Sequence, residues 1–278
     1  ATFDLFSDAD LTIRRSSDVT YKATIDDPRI ASVRILRPQE IPVYVADGLF
    51  DIGVCGRDWV EETSSDVVSL GELKYSKATS LPIKVVVAVA GDSPAQRIED
   101  LPHGLRVSTE YPELTRRFFA ERGIEADIRL SYGASEAKIP DIADCIVDIT
   151  ETGRALRAAG LRIIDEILTS YTEVVANNDA YADPTKRHAM AQLMTLLNGT
   201  LDARGKVLLK LNVGAEQLDA VLALVPSMKA PTVNELAGHG GFAVETVVAK
   251  NQINRLIPAL KDAGATGILE LPISKIIP

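Results

Sequence analysis

Between Cys145 and Gly160 the chain reads as a strand, a tight turn and a helix, with Asp148, Thr150, Glu151, Thr152, Gly153 and Arg154 gathered at the junction. A junction of this kind leaves backbone N–H groups and the positive end of a helix at the carboxyl edge of a sheet, where phosphates bind in α/β folds. Thr152 and Gly153 let the backbone approach an anion closely, Arg154 adds charge, and Asp148 can accept hydrogen bonds from ribose hydroxyls. The same residues also suit a plain helix cap, with Thr150 or Thr152 as the capping hydroxyl and Asp148 as a solvated strand-end carboxylate. Spacing alone leaves both readings open. Elsewhere, His103, His188 and His239 stand apart from one another, which favours surface or structural roles over general-base roles. Cys55 and Cys145 form no C-x-x-C pattern, which argues against a zinc site or a disulfide framework and fits a reducing cytoplasm.

The elements that must position this junction follow from hydrophobic periodicity. Runs rich in Val and Ile at 31–36, 50–54, 83–90, 105–108, 127–130 and 145–149 read as strands. Helical stretches at 39–47, 113–122 and 153–159 lie between them, each closed by a glycine: Gly48, Gly123 and Gly160. That alternation predicts a mostly parallel sheet with helices on its faces. The strand at 83–90 is placed to cross into a second α/β lobe over 88–166, before the chain returns through 163–176, so a cleft between two lobes is expected. Apolar spacing at Met190, Leu193, Met194 and Leu197, with Pro184 in the first turn, predicts a long connecting helix over 184–204. Beyond it the order βαββαβ follows: strands at 207–213, 232–236, 242–249 and 268–273, and helices at 216–224 and 251–263. This is the ferredoxin-like plan.

With 278 residues, 46% hydrophobic and 25% charged, the composition is that of a globular chain of two or three domains and excludes disorder, collagen and coiled coil. A formal charge of −9 disfavours nucleic acid and anionic membranes as partners. The charge is uneven: residues 203–278 hold 8 basic and 6 acidic residues, against 22 and 33 in residues 1–202, and the shift marks a domain boundary near 203. The longest apolar run, Val85 to Ala90, is too short to span a membrane, and the opening segment has no secretion signal. Its apolar spacing suits the end of a helix, so a preceding N-terminal piece is expected.

The segment EAKIPDIADCIVDITETGRALRAAGLRIID, 136–165, resembles the phosphoribosyl-pyrophosphate loop and following helix of the ATP phosphoribosyltransferase family. Similar matches occur in the same order: RPQEIPVYV at 37–45 with Gly48, DIGVCGRD at 51–58, Tyr75 to Lys77, STEYPELTRRF at 108–118, and, toward the C-terminus, MKAPT at 228–232, FAVETV at 242–247 and AGATGILELP at 263–272. The resemblance covers nearly the whole chain. It implies a two-lobed catalytic body of the periplasmic-binding-protein type, with lobe I at 1–87 and 167–202 and lobe II at 88–166. A ferredoxin-like regulatory domain at 203–278 completes the chain.

It further implies the first reaction of histidine biosynthesis, in which N1 of the adenine of ATP joins the anomeric carbon of phosphoribosyl pyrophosphate and pyrophosphate leaves. No enzyme nucleophile is needed, so the work is positioning and electrostatics with Mg²⁺, for which no ligand residues are assigned. By resemblance, Asp148 serves the ribose hydroxyls, and Thr150, Glu151, Thr152, Gly153, Arg154 and Ala155 hold the sugar phosphate. Arg37 and Lys77 assist at the pyrophosphate, and Arg57, Tyr111 and Glu136 contact ATP. Read singly, Tyr111 suits equally an aromatic packed ahead of the helix bearing Phe118 and Phe119, and Trp59 is expected in the core of the first lobe. Asn212, Met228 and Thr232 lie on segments implied to bind inhibitory histidine between subunits of a homo-oligomer, dimer to hexamer. Two departures stand out: Ala155 occupies a position usually given to a hydroxyl residue, and Cys55 one that is commonly Thr. Two further readings compete: a two-lobed small-molecule binding protein, and a regulator that has lost catalysis.

Overall fold

A computed structural model describes residues 1–17, 19–75, 81–133, 135–226, 230–238 and 240–278. The chain opens with helix α1 (Thr2–Asp8), then a small antiparallel sheet of β1 (Ile13–Arg15), β2 (Lys22–Ile25) and β3 (Val33–Arg34). Helix α2 (Ile41–Ala46), strand β4 (Ile52–Gly56), helix α3 (Arg57–Thr63) and strand β5 (Val68–Leu73) follow. Strand β6 (Ile83–Ala90) then carries the chain into the next lobe, through β7 (Leu105–Thr109), α4 (Pro112–Ala120), β8 (Ala126–Leu130), β9 (Cys145–Thr150) and α5 (Arg154–Ala158). The return is made by β10 (Leu161–Ser170) and β11 (Thr172–Ala176), followed by α6 (Asn178–Ala182) and the long α7 (Pro184–Ala203).

The first lobe is a sheet ordered β4-β11-β5 and the second a sheet ordered β10-β6-β9-β7-β8. The expected mostly parallel arrangement is met only in the second lobe, where β6 alone runs against its neighbours; both pairings in the first lobe are antiparallel. The cause is the double crossing: β6 arrives from the first lobe and β11 returns to it, and each enters its sheet against the local direction. Two sheets joined by such crossing strands are the architecture of the periplasmic-binding-protein type.

Burial follows the patterning. Val85, Val87, Val89, Val107, Cys145 and Val147 face one side of the second sheet beneath Phe118 and Phe119 of α4, while Val86, Ala88 and Ile146 face the other beneath Leu156 of α5. Cys55 packs with Val45, Val60 and Val175 in the first lobe. Burial pushes the Cys55 and Cys145 thiols up to about 12, so both are chemically quiet. Trp59 departs from its expected place in the first-lobe core: α3 carries it onto the core of the second lobe, 4.6 Å from the Tyr111 ring.

By its internal contacts the chain divides into two units, Ala1–Thr2 with Ile13–Met194, and Phe3–Thr12 with Thr195–Pro278, so the division falls within α7. In the second unit β12 (Lys206–Gly214), α8 (Leu218–Leu224), β13 (Thr232–Glu235), β14 (Gly241–Ala249), α9 (Ile253–Asp262) and β15 (Thr266–Pro272) build a wholly antiparallel sheet ordered β13-β14-β12-β15. That is the ferredoxin-like order. Leu209, Leu211, Val213 and Val244 turn toward a core that holds Val221 of α8 and Leu260 of α9. Residues 3–12 join this unit through ion pairs such as Asp8 with Arg204 at 3.0 Å. Among the described residues no helix is long and apolar enough to cross a membrane.

Candidate active site

The carboxyl ends of β7 and β9 both reach the boundary between the two lobes of the first unit. Lys84, near the start of the incoming β6, is opposite Thr150 at the end of β9, and Ser170, at the end of the outgoing β10, bonds Asp58 of the first lobe. The strand–turn–helix junction read from the sequence therefore opens where the lobes meet, as strand-end sites do in α/β folds.

Asp148 is half-buried on β9, on the face shared with Ile146. Its carboxyl is held above the ordinary carboxylate range, first by loss of solvent and then by the charges of Glu110 and Glu136. A bond from the Ile149 N–H, at 2.7 Å, pulls the other way. A solvated strand-end carboxylate would show neither the burial nor the crowding.

Part of the capping alternative holds. The Gly153 N–H donates to Thr150 Oγ1 at 2.7 Å, so that amide is occupied within the loop. Helix α5 has only five residues, which leaves little dipole to draw an anion, and Thr152, Arg154 and Ala155 beside it are exposed. Glu151 is half-buried beside them. Ala155 carries no hydroxyl, so at that position only its backbone can donate. Gly153 takes φ +70°, and a Cβ there would meet Arg157 Nη1 at 2.7 Å and Ile163 Cδ1 at 3.1 Å. Arg157, which sequence reading passed over, donates to the Thr152 carbonyl at 2.8 Å and holds the loop from outside. Gly153→Ala is expected to cost about 1 kcal/mol in the loop conformation, displace Arg157 and raise the KM for phosphoribosyl pyrophosphate about fivefold while lowering the Tm by only about 2–4 °C. Initial rates against sugar-phosphate concentration, with a melting curve, check this.

The remaining expected residues are dispersed. Arg37 lies exposed in the segment leading to α2, and Glu136 is exposed on a short 3-10 turn (Ser135–Lys138) close enough to raise Asp148. Arg57 opens α3 with Nε bonded to Glu61 at 2.9 Å and Nη1 at 3.7 Å from Glu173. Its charge is thus shared between two carboxylates. Lys77 and Met228 lie outside the described residues. Asn212 and Thr232 stand on the face of the second unit's sheet opposite its helices, with the ion pair of Lys210 and Glu245, 2.7 Å, on the same face. Cys55 points into the first-lobe core, so its departure from Thr changes packing there and no open surface.

Tyr111 needs correction. Expected against adenine, it is 2% exposed, its hydroxyl donates to Asp58 Oδ2 at 2.8 Å, and its ring lies against Trp59. No face remains for a purine, and the other reading, a packed aromatic ahead of Phe118 and Phe119, is the one realised. Asp58 also accepts from Ser170 Oγ at 2.7 Å, and Glu62, on the same helix, accepts from the Glu113 and Leu114 N–H groups at the start of α4. Burial raises the Glu62 carboxyl. These carboxylates fix the two lobes to each other. The sequence signal available for them was their one-turn spacing, 58 and 62, on a helix that apolar periodicity did not reveal.

A two-lobed α/β body with a strand–turn–helix loop at its strand ends, together with a ferredoxin-like module, defines a class: a two-lobed α/β protein that carries a separate accessory domain. The sequence model of the ATP phosphoribosyltransferase family matches residues 37–199, and that of the HisG C-terminal domain matches 203–275. The chain belongs to the ATP phosphoribosyltransferase family in its long form, a pentosyltransferase of the first step of histidine biosynthesis. An ATP phosphoribosyltransferase of Pelotomaculum thermopropionicum is 45% identical over 280 residues, spanning 100% of this chain and 95% of that one. One from Nitratidesulfovibrio vulgaris strain DP4 is 46% identical over 278 residues, spanning 100% and 94%. A solved chain of the ATP phosphoribosyl transferase (HisG:HisZ) complex from Thermotoga maritima superposes with TM-score 0.60 at 26% identity, covering 72% of this chain and 92% of that one.

Proposed function

We propose that this chain joins ATP to phosphoribosyl pyrophosphate at the junction of β9 and α5, with Asp148 receiving the ribose hydroxyls and the backbone from Thr150 to Ala155 receiving the 5′-phosphate. The observation that carries the reading is the half-buried, crowded carboxylate of Asp148 beside that loop at the lobe boundary. As the bond from the anomeric carbon to pyrophosphate breaks, the sugar becomes electron-poor, and the negative charge of Asp148, Glu110 and Glu136 favours that state. The adenine N1 then supplies the new bond, so the chain needs to orient and to exclude water rather than to attack. Arg154 beside the loop, Arg37 and Lys77 are assigned to the phosphates, and Arg57 and Glu136 to ATP.

Among the described residues no three His, Cys, Asp or Glu side chains gather as a metal cage. Mg²⁺, when bound with the substrates, would supply neutralisation of the departing pyrophosphate. The enzyme is assigned to the cytoplasm, to a homo-oligomer of two to six subunits, and to feedback inhibition by histidine bound near Asn212, Met228 and Thr232. For inhibition to work, histidine must favour one of two conformations. Pyrophosphate release on mixing the protein with ATP, phosphoribosyl pyrophosphate and Mg²⁺ tests the reading; ligand binding without turnover overturns it in favour of a binding module. Saturating histidine is expected to lower the initial rate, and an unchanged rate removes the inhibitory assignment.

A further inference from the structure

Tyr111 is closed to a purine, yet another aromatic stands at the same edge of the second-lobe sheet. Tyr132 follows the carboxyl end of β8 and is 90% exposed. Its backbone is tied on both sides. The Ser131 N–H extends the ladder to the Thr109 carbonyl at 2.8 Å, and Ser131 itself is 2% exposed. Ser131 Oγ donates to the Gly133 carbonyl at 3.4 Å and accepts from Lys138 Nζ. A large ring is thus held out in solvent by a turn that is already fixed. Such a ring, with two side-chain torsions on an ordered backbone, gives up little entropy when a flat partner settles on it.

Strand register says what lies beside it. In the parallel ladders Leu130 of β8 is next to Thr109 of β7, and Thr109 is next to Val147 of β9. Asp148 is one residue beyond Val147, and Tyr132 is two beyond Leu130. Two strand spacings therefore separate them, about 10 Å along the edge. A purine whose N1 meets the anomeric carbon of a ribose held at Asp148 lies one sugar ring and one bond away, which brings its face within reach of Tyr132. Leu130, 52% exposed, and Ile149, 43% exposed, add apolar surface at the same strand ends. Glu110 after β7 and Glu136 on the following turn put negative charge there, which repels phosphate, so the part of ATP that suits this edge is its base.

We propose that Tyr132 is the residue that stacks on the adenine of ATP while Asp148 holds the ribose of the other substrate. The inference rests on the site assigned above and adds to it the residue that recognises the base. Stacking needs the ring face and not the hydroxyl, so aromatic replacements at 132 keep it and an aliphatic one loses it.

The test follows pyrophosphate release at varied ATP and at varied phosphoribosyl pyrophosphate for the parent, Tyr132→Ala, Tyr132→Phe and Tyr132→Trp, with a melting curve for each. Tyr132→Ala is expected to raise the KM for ATP about tenfold, the usual loss of one base–aromatic stack, with the kcat at saturating ATP, the KM for phosphoribosyl pyrophosphate and the Tm at parent values. Tyr132→Phe and Tyr132→Trp are expected to keep the parent's KM for ATP. An unchanged KM for ATP in Tyr132→Ala overturns the inference, as does an equal rise for both substrates, which would make Tyr132 a support of the loop. Tyr132→Phe behaving as Tyr132→Ala overturns it too, since the contact would then belong to the hydroxyl. A parent that releases no pyrophosphate from these substrates overturns the site beneath, and this inference falls with it.

Discussion

Asp148→Asn is expected to lower kcat by about 10²–10³-fold, the usual loss when one preorganised charge aimed at a transition state is removed. It is expected to do so without loss of stability. The sign of the second effect follows from the carboxyl's environment. Its pKa in the folded chain lies above its unfolded value, because burial and the neighbouring Glu110 and Glu136 disfavour the charge. The folded state therefore binds the Asp148 proton more tightly than the unfolded state does. Stability is lost as pH rises from the unfolded value through the raised one, and at neutral pH the ionised group is a cost. Asparagine removes that cost, so the Tm at pH 7 is expected to match or exceed the parent's while turnover collapses. Steady-state rates and melting curves on the same preparation check both halves. A variant that loses stability in step with activity would return Asp148 to a structural role.

How much of this was readable beforehand depends on the range of the interaction. The β9–α5 junction was legible because its signal is local: an apolar run, then Asp148, Thr150 and Gly153 within one turn. Asp148's crowding was not, since Glu110 comes from the end of another strand and Glu136 from a turn that precedes β9. The ferredoxin-like module was legible for the same local reason, as its two central strands β12 and β14 alternate buried and less buried residues along their length. The first lobe was harder. Its α3 hides Asp58 and Glu62 among residues whose periodicity looks polar, and its sheet is completed by β11, which arrives more than a hundred residues after β4. Tyr111 shows the limit of resemblance as well: its motif marked it as important, but the contact that makes it so lies on the other lobe.

That contact makes the second large prediction a matter of stability. Asp58→Ala is expected to destabilise the first unit by about 3–5 kcal/mol, because the loss falls on its partners as well as on itself. The Tyr111 hydroxyl and Ser170 Oγ both donate to Asp58, and at 2% and 1% exposure neither can turn to solvent. The Tyr111 hydroxyl left without an acceptor costs about 1–3 kcal/mol, Ser170 Oγ keeps only a 3.4 Å bond to the Tyr171 carbonyl, and the cavity adds to that. The chain's single tryptophan, Trp59, lies 4.6 Å from the Tyr111 ring, so its fluorescence reads the unfolding of this contact and of little else. Urea titration followed at Trp59 should show the midpoint falling with the slope retained. The pairing can be isolated further. Tyr111→Phe alone leaves a buried carboxylate oxygen without its donor, whereas Asp58→Ala with Tyr111→Phe removes both polar ends. The double variant should therefore lose less than the sum of the singles, by about 1–2 kcal/mol. Strict additivity would mean that the hydrogen bond contributes nothing, and that the lobes are held by the Trp59 and Tyr111 rings and by the Glu62 bonds to α4 alone.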